Sequence, residues 1–165
     1  LIKGGKDNDL LRQMVLTSAQ TLGVDPQRLY FLPADPDEET HRANLALADI
    51  VLDTYPYNGA TTTLETLWMG VPLVTRVGEQ FSARNSYAFL QQVGITEGVA
   101  WTDQEYVDWG AKLGQESGLR QALQARLLAA RKTAPLWRGE AFTRQMEQAY
   151  QQMWEQQTQG ARLTA

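Results

Sequence analysis

The sequence predicts an α/β domain, a parallel sheet of about five short strands flanked by helices. Three observations carry that expectation. Short apolar runs alternate with longer amphipathic segments, the order of a strand–helix repeat. One run, Ile50-Val51-Leu52-Asp53, is apolar on both faces, as buried parallel strands are. Helix and strand ends are marked by turn residues, among them Gly23, Pro33, Gly70 and Pro72.

Taken in order, Leu1-Ile2-Lys3 reads as a first strand. Leu10, Leu11, Met14, Val15 and Leu22 recur at helical spacing, which predicts a helix over about 7–22, stopped by Gly23. Leu29 to Leu32 is a short strand closed by Pro33. Asp35 to Ala48 is expected to be helical, with acids in its first turn, where the helix dipole favours them. Ile50 to Asp53 is the next strand. A turn-rich loop, Tyr55-Pro56-Tyr57-Asn58-Gly59-Ala60, leads into a helix over Thr61 to Met69. Leu73-Val74-Thr75 and Val99-Ala100-Trp101 are strands, with a helix over Ser82 to Gln92 between them. Thr102 or Asp103 caps a helix running through Leu113, and Leu119 to Lys132 continues the helical set. Residues 1–132 are read as one sheet-and-helix domain and 133–139 as a linker. Residues 140–157 are a last helix striped by Phe142, Met146, Ala149, Tyr150 and Met153, and 158–165 are a polar tail expected to fray.

Composition narrows the function classes. Hydrophobic residues at 43% and charged residues at 21% of 165 place the chain among globular domains large enough to bury a core. A net charge of −4 argues against nucleic acid as the main partner, which selects clustered Lys and Arg. The absence of cysteine removes disulfides, thiolate metal sites and a Cys nucleophile, and suits the cytoplasm. No apolar run approaches the ~20 residues of a membrane span, so no membrane partner is expected. The opening Leu1-Ile2-Lys3-Gly4-Gly5, without Met, reads as a strand already running into a turn, as in a piece of a longer protein.

Ligands of open parallel sheets bind beyond the carboxyl ends of the strands, so the loop after Asp53 is the first candidate site. Gly59 and Ala60 carry no bulky side chain and allow close approach to the backbone. Thr61, Thr62 and Thr63 open the following helix, whose unpaired N–H groups and positive dipole end suit a diphosphate. Glu65, one turn on, is placed to accept hydrogen bonds from ribose hydroxyls. The alternative is that the threonines are only an N-cap and Glu65 only a favourable acid. Three consecutive threonines are poor helix formers, which leaves their presence to be explained. The motif is neither a Walker loop nor a G-x-G-x-x-G fingerprint.

Other candidates are weaker. The loop after Thr75 carries Arg84, which either reaches a phosphate or pairs on the surface with Glu79. His41, the single histidine, has no partners for a Ser-His-Asp triad and is either a plain surface residue or a flat ring for stacking on a base. The five Trp residues, at 68, 101, 109, 137 and 154, mostly fall at helix-face spacing and read as core or interface. The acidic neighbours Asp7 and Asp9, Asp35 and Asp37, and Glu38 and Glu39 lack metal-ligand spacing, so no metal is expected.

Together these residues resemble a known family. Leu47-Ala48-Asp49-Ile50-Val51-Leu52-Asp53-Thr54, then Asn58-Gly59, Thr61-Thr62, Leu67-Trp68-x-Gly70-x-Pro72-x-Val74-Thr75 and Gly78-Glu79 are similar to the C-terminal catalytic region of protein O-linked N-acetylglucosamine transferases. The run Tyr55-Pro56-Tyr57-x-Gly59-x-Thr61-Thr62-Thr63-x-Glu65-x-Leu67-x-Met69-Gly70-Val71-Pro72 more closely resembles the SPINDLY branch and its bacterial relatives. The similarity extends from about Leu29 to Tyr150-x-x-Met153-Trp154. It implies the Rossmann-like, donor-binding C-terminal half of a GT-B glycosyltransferase, with the last helix crossing toward an N-terminal domain upstream of this chain.

The resemblance also implies roles. Thr61 and Thr62 would bind the donor diphosphate, Glu65 the ribose and His41 the base, with Asn58, Gly59, Ala60 and Thr63 around them and Arg84 nearby. The reaction implied is an inverting transfer of N-acetylglucosamine or fucose from a nucleotide diphosphate sugar to protein Ser or Thr, with no cofactor. Ala60 stands where the animal enzymes have histidine, as in the SPINDLY branch, which is associated with GDP-fucose; UDP-sugar and GDP-sugar donors therefore both stay open. A lysine that assists the leaving diphosphate, and the repeats that select protein acceptors, are expected upstream of Leu1, so the chain alone is expected to bind donor weakly and not turn over. The competing readings are a non-catalytic nucleotide-binding or assembly module and another GT-B enzyme, such as a nucleotide-sugar epimerase.

Overall fold

A computed structural model describes residues 2–3, 9–33 and 35–162. The chain forms two compact units, Leu1–Ala48 and Asp49–Ala165.

In the first unit, strand β1 (Ile2–Lys3) pairs in parallel with β2 (Phe31–Leu32), Ile2 opposite Phe31. Between them runs helix α1 (Asp9–Thr21). Its apolar residues divide: Leu11, Val15 and Leu16 are half-buried and Ala19 buried, while Leu10, Met14 and Leu22 are exposed. Helix α2 (Glu38–Ala46) starts later than the acidic run suggested, because Asp37 is its cap: the carboxylate accepts the N–H of Thr40. That bond holds the Asp37 carboxyl below its ordinary range.

The second unit carries a three-stranded parallel sheet in the order β3 (Val51–Leu52), β4 (Leu73–Arg76), β5 (Val99–Ala100). Val51 lies opposite Leu73, and Thr75 opposite Val99. Helices α3 (Thr61–Trp68) and α4 (Asn85–Gln92) are the crossovers, followed by α5 (Asp103–Gln115), α6 (Ser117–Thr133) and α7 (Gly139–Arg162). The α5 start is a full capping box, Thr102 accepting from the Glu105 N–H and Glu105 reaching back to the Thr102 N–H. A cluster of Leu67, Val74, Leu90, Leu113, Leu123 and Leu127 forms the centre of the core.

Five strands are present among the described residues, but they form a two-stranded and a three-stranded sheet, not the single sheet of five expected. Apolar runs identify strands; which strands pair is a non-local property that periodicity does not encode. The strand buried on both faces is β4, whose Leu73, Val74 and Thr75 are all buried. In β3, an edge of its sheet, Val51 is half-buried and Leu52 is exposed.

The C-terminal part also differs from expectation. Residues 133–139, read as a linker, hold a short 3-10 helix, Pro135–Trp137, with Ala134 buried and Leu136 and Trp137 packed against the core. Helix α7 continues to Arg162, into the segment expected to fray; residues 163–165 lie outside the described set, as does Asp7. Its Phe142, Tyr150, Met153 and Trp154 are exposed. Of the five tryptophans, Trp109 and Trp137 pack against the core, whereas Trp68, Trp101 and Trp154 are exposed, so helix-face spacing alone did not report burial. Trp68 meets Trp137 edge-on at 5.2 Å. Among the described residues no helix is long and apolar enough to cross a membrane.

Gly98 shows how tightly β5 enters the sheet. Its φ is +86°, and a Cβ there would lie 2.3 Å from the Leu73 carbonyl oxygen. Gly94, at φ +71°, has open space around it. Gly94→Ala should therefore lose about 1 kcal/mol from its backbone conformation alone, and Gly98→Ala at least about 2 kcal/mol more, measured by denaturant unfolding.

Candidate functional site

The site is built from the end of β3 outward. Asp53, the residue after the strand, is buried, and its carboxylate is an acceptor only. Oδ1 accepts the N–H groups of Thr54 at 3.0 Å and Gly59 at 2.8 Å. Oδ2 accepts the hydroxyl of Thr75, on β4, at 2.8 Å. The Asp53 carbonyl in turn accepts the Tyr106 hydroxyl of α5 at 2.8 Å. A buried carboxylate is costly unless hydrogen-bonded, and here the bonds that satisfy it also fold the loop back over the strand end.

The loop carries a cis Tyr55-Pro56 peptide. Asn58 is fully buried: its N–H donates to the Ser82 carbonyl and its Nδ2 to the Thr54 carbonyl, both at 2.8 Å. Its Oδ1 is buried and has no hydrogen-bond partner among the described residues. Gly59 is required by its neighbour, since a Cβ there would lie 2.5 Å from the Thr63 hydroxyl oxygen. Close approach of the backbone is thus used inside the protein, by Thr63, where the sequence had suggested use by a ligand. The Thr63 hydroxyl bonds the Ser86 hydroxyl of α4 at 2.9 Å, and Ser86 reaches the Gly59 carbonyl at 3.4 Å.

The three threonines therefore divide. Thr63 is buried, its hydroxyl committed to Ser86, so only its N–H belongs to the helix end. Thr61 and Thr62 are exposed. The cap position is Ala60, with no side-chain capping bond, so the threonines do not serve as an N-cap. The helical ladder begins with the Leu64 N–H to the Ala60 carbonyl, which leaves the N–H groups of Thr61, Thr62 and Thr63 ahead of it, at the positive end of the helix dipole. Glu65 is half-buried and lies one turn beyond Thr61 on the same face.

Arg84 stands between a short 3-10 helix (Phe81–Ala83) and α4. Its guanidinium donates to the Gly78 carbonyl at 2.9 Å and lies 5.9 Å from the ring centres of Tyr87 and Trp101. These contacts hold it on a groove of about 530 Å³ lined by Tyr55, Arg76, Gly78, Glu79 and Trp101 as well. Arg76 donates to Asp103 at 3.0 Å and lies over the Tyr55 ring. His41 belongs to the first unit, on α2, where its Nδ1 meets Asp35 at 2.9 Å. Among the described residues no group of three or more His, Cys, Asp or Glu converges as metal ligands do.

Asp53, Thr75, Ser82, Ser86 and Tyr106 were not anticipated as parts of this site. The one signal in the sequence was the acid ending an apolar strand run; the partners lie 22 residues or more away from it or from Thr63, and only the fold joins them. Asp53→Ala should lower stability by roughly 3 kcal/mol, by leaving buried donors unmatched. Burial, and secondarily the Asp53 charge, push the Tyr106 hydroxyl from 10.0 up to about 12. The folded chain thus holds this proton more tightly than the unfolded one. Its contribution is intact below pH 10.0 and is lost as pH rises toward about 12. Urea unfolding across that window should show a stability loss that Tyr106→Phe reduces.

Known proteins resemble the chain in sequence and in fold. Residues 10–146 match Glycosyl transferase family 41. Over 152 residues the chain is 37% identical to an Oryza sativa subsp. japonica protein named as a probable UDP-N-acetylglucosamine–peptide N-acetylglucosaminyltransferase SPINDLY; the match covers 92% of this chain and 16% of that protein. It is 35% identical over 138 residues to the UDP-N-acetylglucosamine–peptide N-acetylglucosaminyltransferase of Caenorhabditis elegans, covering 84% of this chain and 12% of that one. A solved mutant of the O-GlcNAc transferase of Thermobaculum terrenum superposes with a TM-score of 0.83 at 32% identity, over 93% of this chain and 29% of its own. The chain thus spans a small part of the length of the curated relatives it matches, 16% in the rice protein. By sequence and by fold, the chain belongs to glycosyltransferase family 41.

Proposed function

We propose that this chain is the donor-binding part of a protein O-glycosyltransferase, moving N-acetylglucosamine or fucose from a nucleotide diphosphate sugar to a Ser or Thr hydroxyl with inversion. The observation that carries this is the start of α3. Three N–H groups, of Thr61, Thr62 and Thr63, lie ahead of the helical ladder with no side-chain cap, beyond the carboxyl end of β3. Such a helix end favours a diphosphate, and the exposed Thr61 and Thr62 hydroxyls add donors. The names of the matched relatives, which specify UDP-N-acetylglucosamine and a peptide, support the substrate classes.

In the transfer, the acceptor hydroxyl oxygen bonds to the anomeric carbon and gives up its proton to solvent as the bond from that carbon to the diphosphate oxygen breaks, and negative charge grows on the diphosphate. Donors fixed in advance at that charge lower the barrier without reorganising. Helix N–H groups and threonine hydroxyls supply such donors with no cofactor. Glu65, one turn on, is assigned to the ribose hydroxyls, His41 to the base, and Arg84 to a supporting role near the phosphates. The last helix, α7, is assigned to span toward the partner domain of a GT-B enzyme.

In the protein carrying this chain, Thr61→Ala with Thr62→Ala should lower kcat/KM by about a hundredfold or more, with the unfolding midpoint little changed because both side chains are exposed. Retained activity in the double variant would show that the Thr61 and Thr62 hydroxyls do not hold the diphosphate, the helix N–H groups being kept in both substitutions.

A further inference from the structure

His41 is the single histidine of the chain, and its setting is more specific than that of a surface residue. Asp35, ahead of the Asp37 cap, returns to the side of α2: its Oδ2 meets His41 Nδ1 at 2.9 Å and its Oδ1 accepts from Asn44 Nδ2 at 2.6 Å. His41 and Asn44 are three residues apart on one face of the helix, so two donors converge on a single carboxylate. The side chain of Asp35 is 8% exposed and that of His41 is 17% exposed.

A carboxylate only accepts hydrogen bonds, so the neutral His41 ring carries its proton on Nδ1. Which nitrogen is protonated follows from the bond the ring makes. The ring torsion of a histidine is otherwise broad, and a hydrogen bond from Nδ1 fixes the plane as well as the tautomer.

We propose that Asp35 is a positioning residue for the donor nucleotide: held by Asn44, it fixes the plane and the Nδ1–H form of His41, so that the ring meets the base in one orientation. This rests on the assignment of His41 to the base. Asp35 itself does not touch the nucleotide; it acts through the histidine.

With one histidine in the chain, the imidazole nitrogens give a single set of ¹⁵N signals. The experiment records them at about pH 8, where an ordinary histidine is neutral, and measures UDP and GDP affinity by calorimetry for the same samples. The unsubstituted chain should show the Nδ1–H form. Asp35→Ala should shift the ring toward Nε2–H and weaken the bound nucleotide by about three- to tenfold, the worth of one hydrogen bond. Asp35→Asn, which keeps an oxygen acceptor and guards against a folding failure, should retain the Nδ1–H form and most of the affinity. His41→Ala should lose at least as much affinity as Asp35→Ala. An unchanged tautomer in Asp35→Ala, or a changed tautomer with full affinity, overturns the positioning role. Full affinity in His41→Ala overturns the assignment of His41 to the base, and the role of Asp35 falls with it, whatever the tautomer does.

Discussion

The buried carboxylate of Asp53 is the constraint on which the rest of the second unit's site depends. It sits where β3 ends, and its bonds reach Thr54, Gly59 and Thr75, while its own carbonyl receives Tyr106. Desolvating a carboxylate is expensive, and each bond offsets part of that cost only in one loop conformation. The chain from 54 to 59 is therefore held to the sheet by the electrostatic requirement of one side chain. That in turn decides where α3 starts and which of its groups face outward.

A second, neutral network continues the first. Gly59 makes room for the Thr63 hydroxyl, Thr63 bonds Ser86, and Asn58 is fastened to Ser82 and Thr54. These contacts join the loop after β3 to the loop after β4 and so rigidify the entry to α3. Thr63 is used for structure, and Thr61 and Thr62 are left on the surface beside N–H groups that no side chain caps. Rigid donors of this kind are what a developing diphosphate charge requires, because they need no rearrangement when the bond breaks. The structural role of Thr63 and the chemical role proposed for Thr61 and Thr62 thus fall within three successive residues of the same type.

Much of this was legible in the sequence because it is local. The apolar runs marked β3 and β4, the turn residues marked the loop, and the threonine run marked the start of α3 and its open N–H groups. The similarity of 47–75 to known transferases pointed to the family that the comparisons show. What could not be read is non-local. Pairing of the strands into two sheets, the Asp53–Thr75 and Thr63–Ser86 bonds, and the reason for Gly59 all join residues distant in sequence or depend on a packing contact. The exposure of Trp101 and of the α7 stripe was hidden for the same reason: periodicity shows that a face is apolar, but not what covers it.

Backbone amide shifts report whether the start of α3 receives the diphosphate. The ¹H–¹⁵N spectrum of the chain would be followed as UDP is added, and then, separately, as uridine is added. Saturable shifts are expected at the amides of Thr61, Thr62 and Thr63 with UDP, and little movement there with uridine, which lacks the phosphates. Saturation by UDP that moves other amides and leaves those three in place would contradict it.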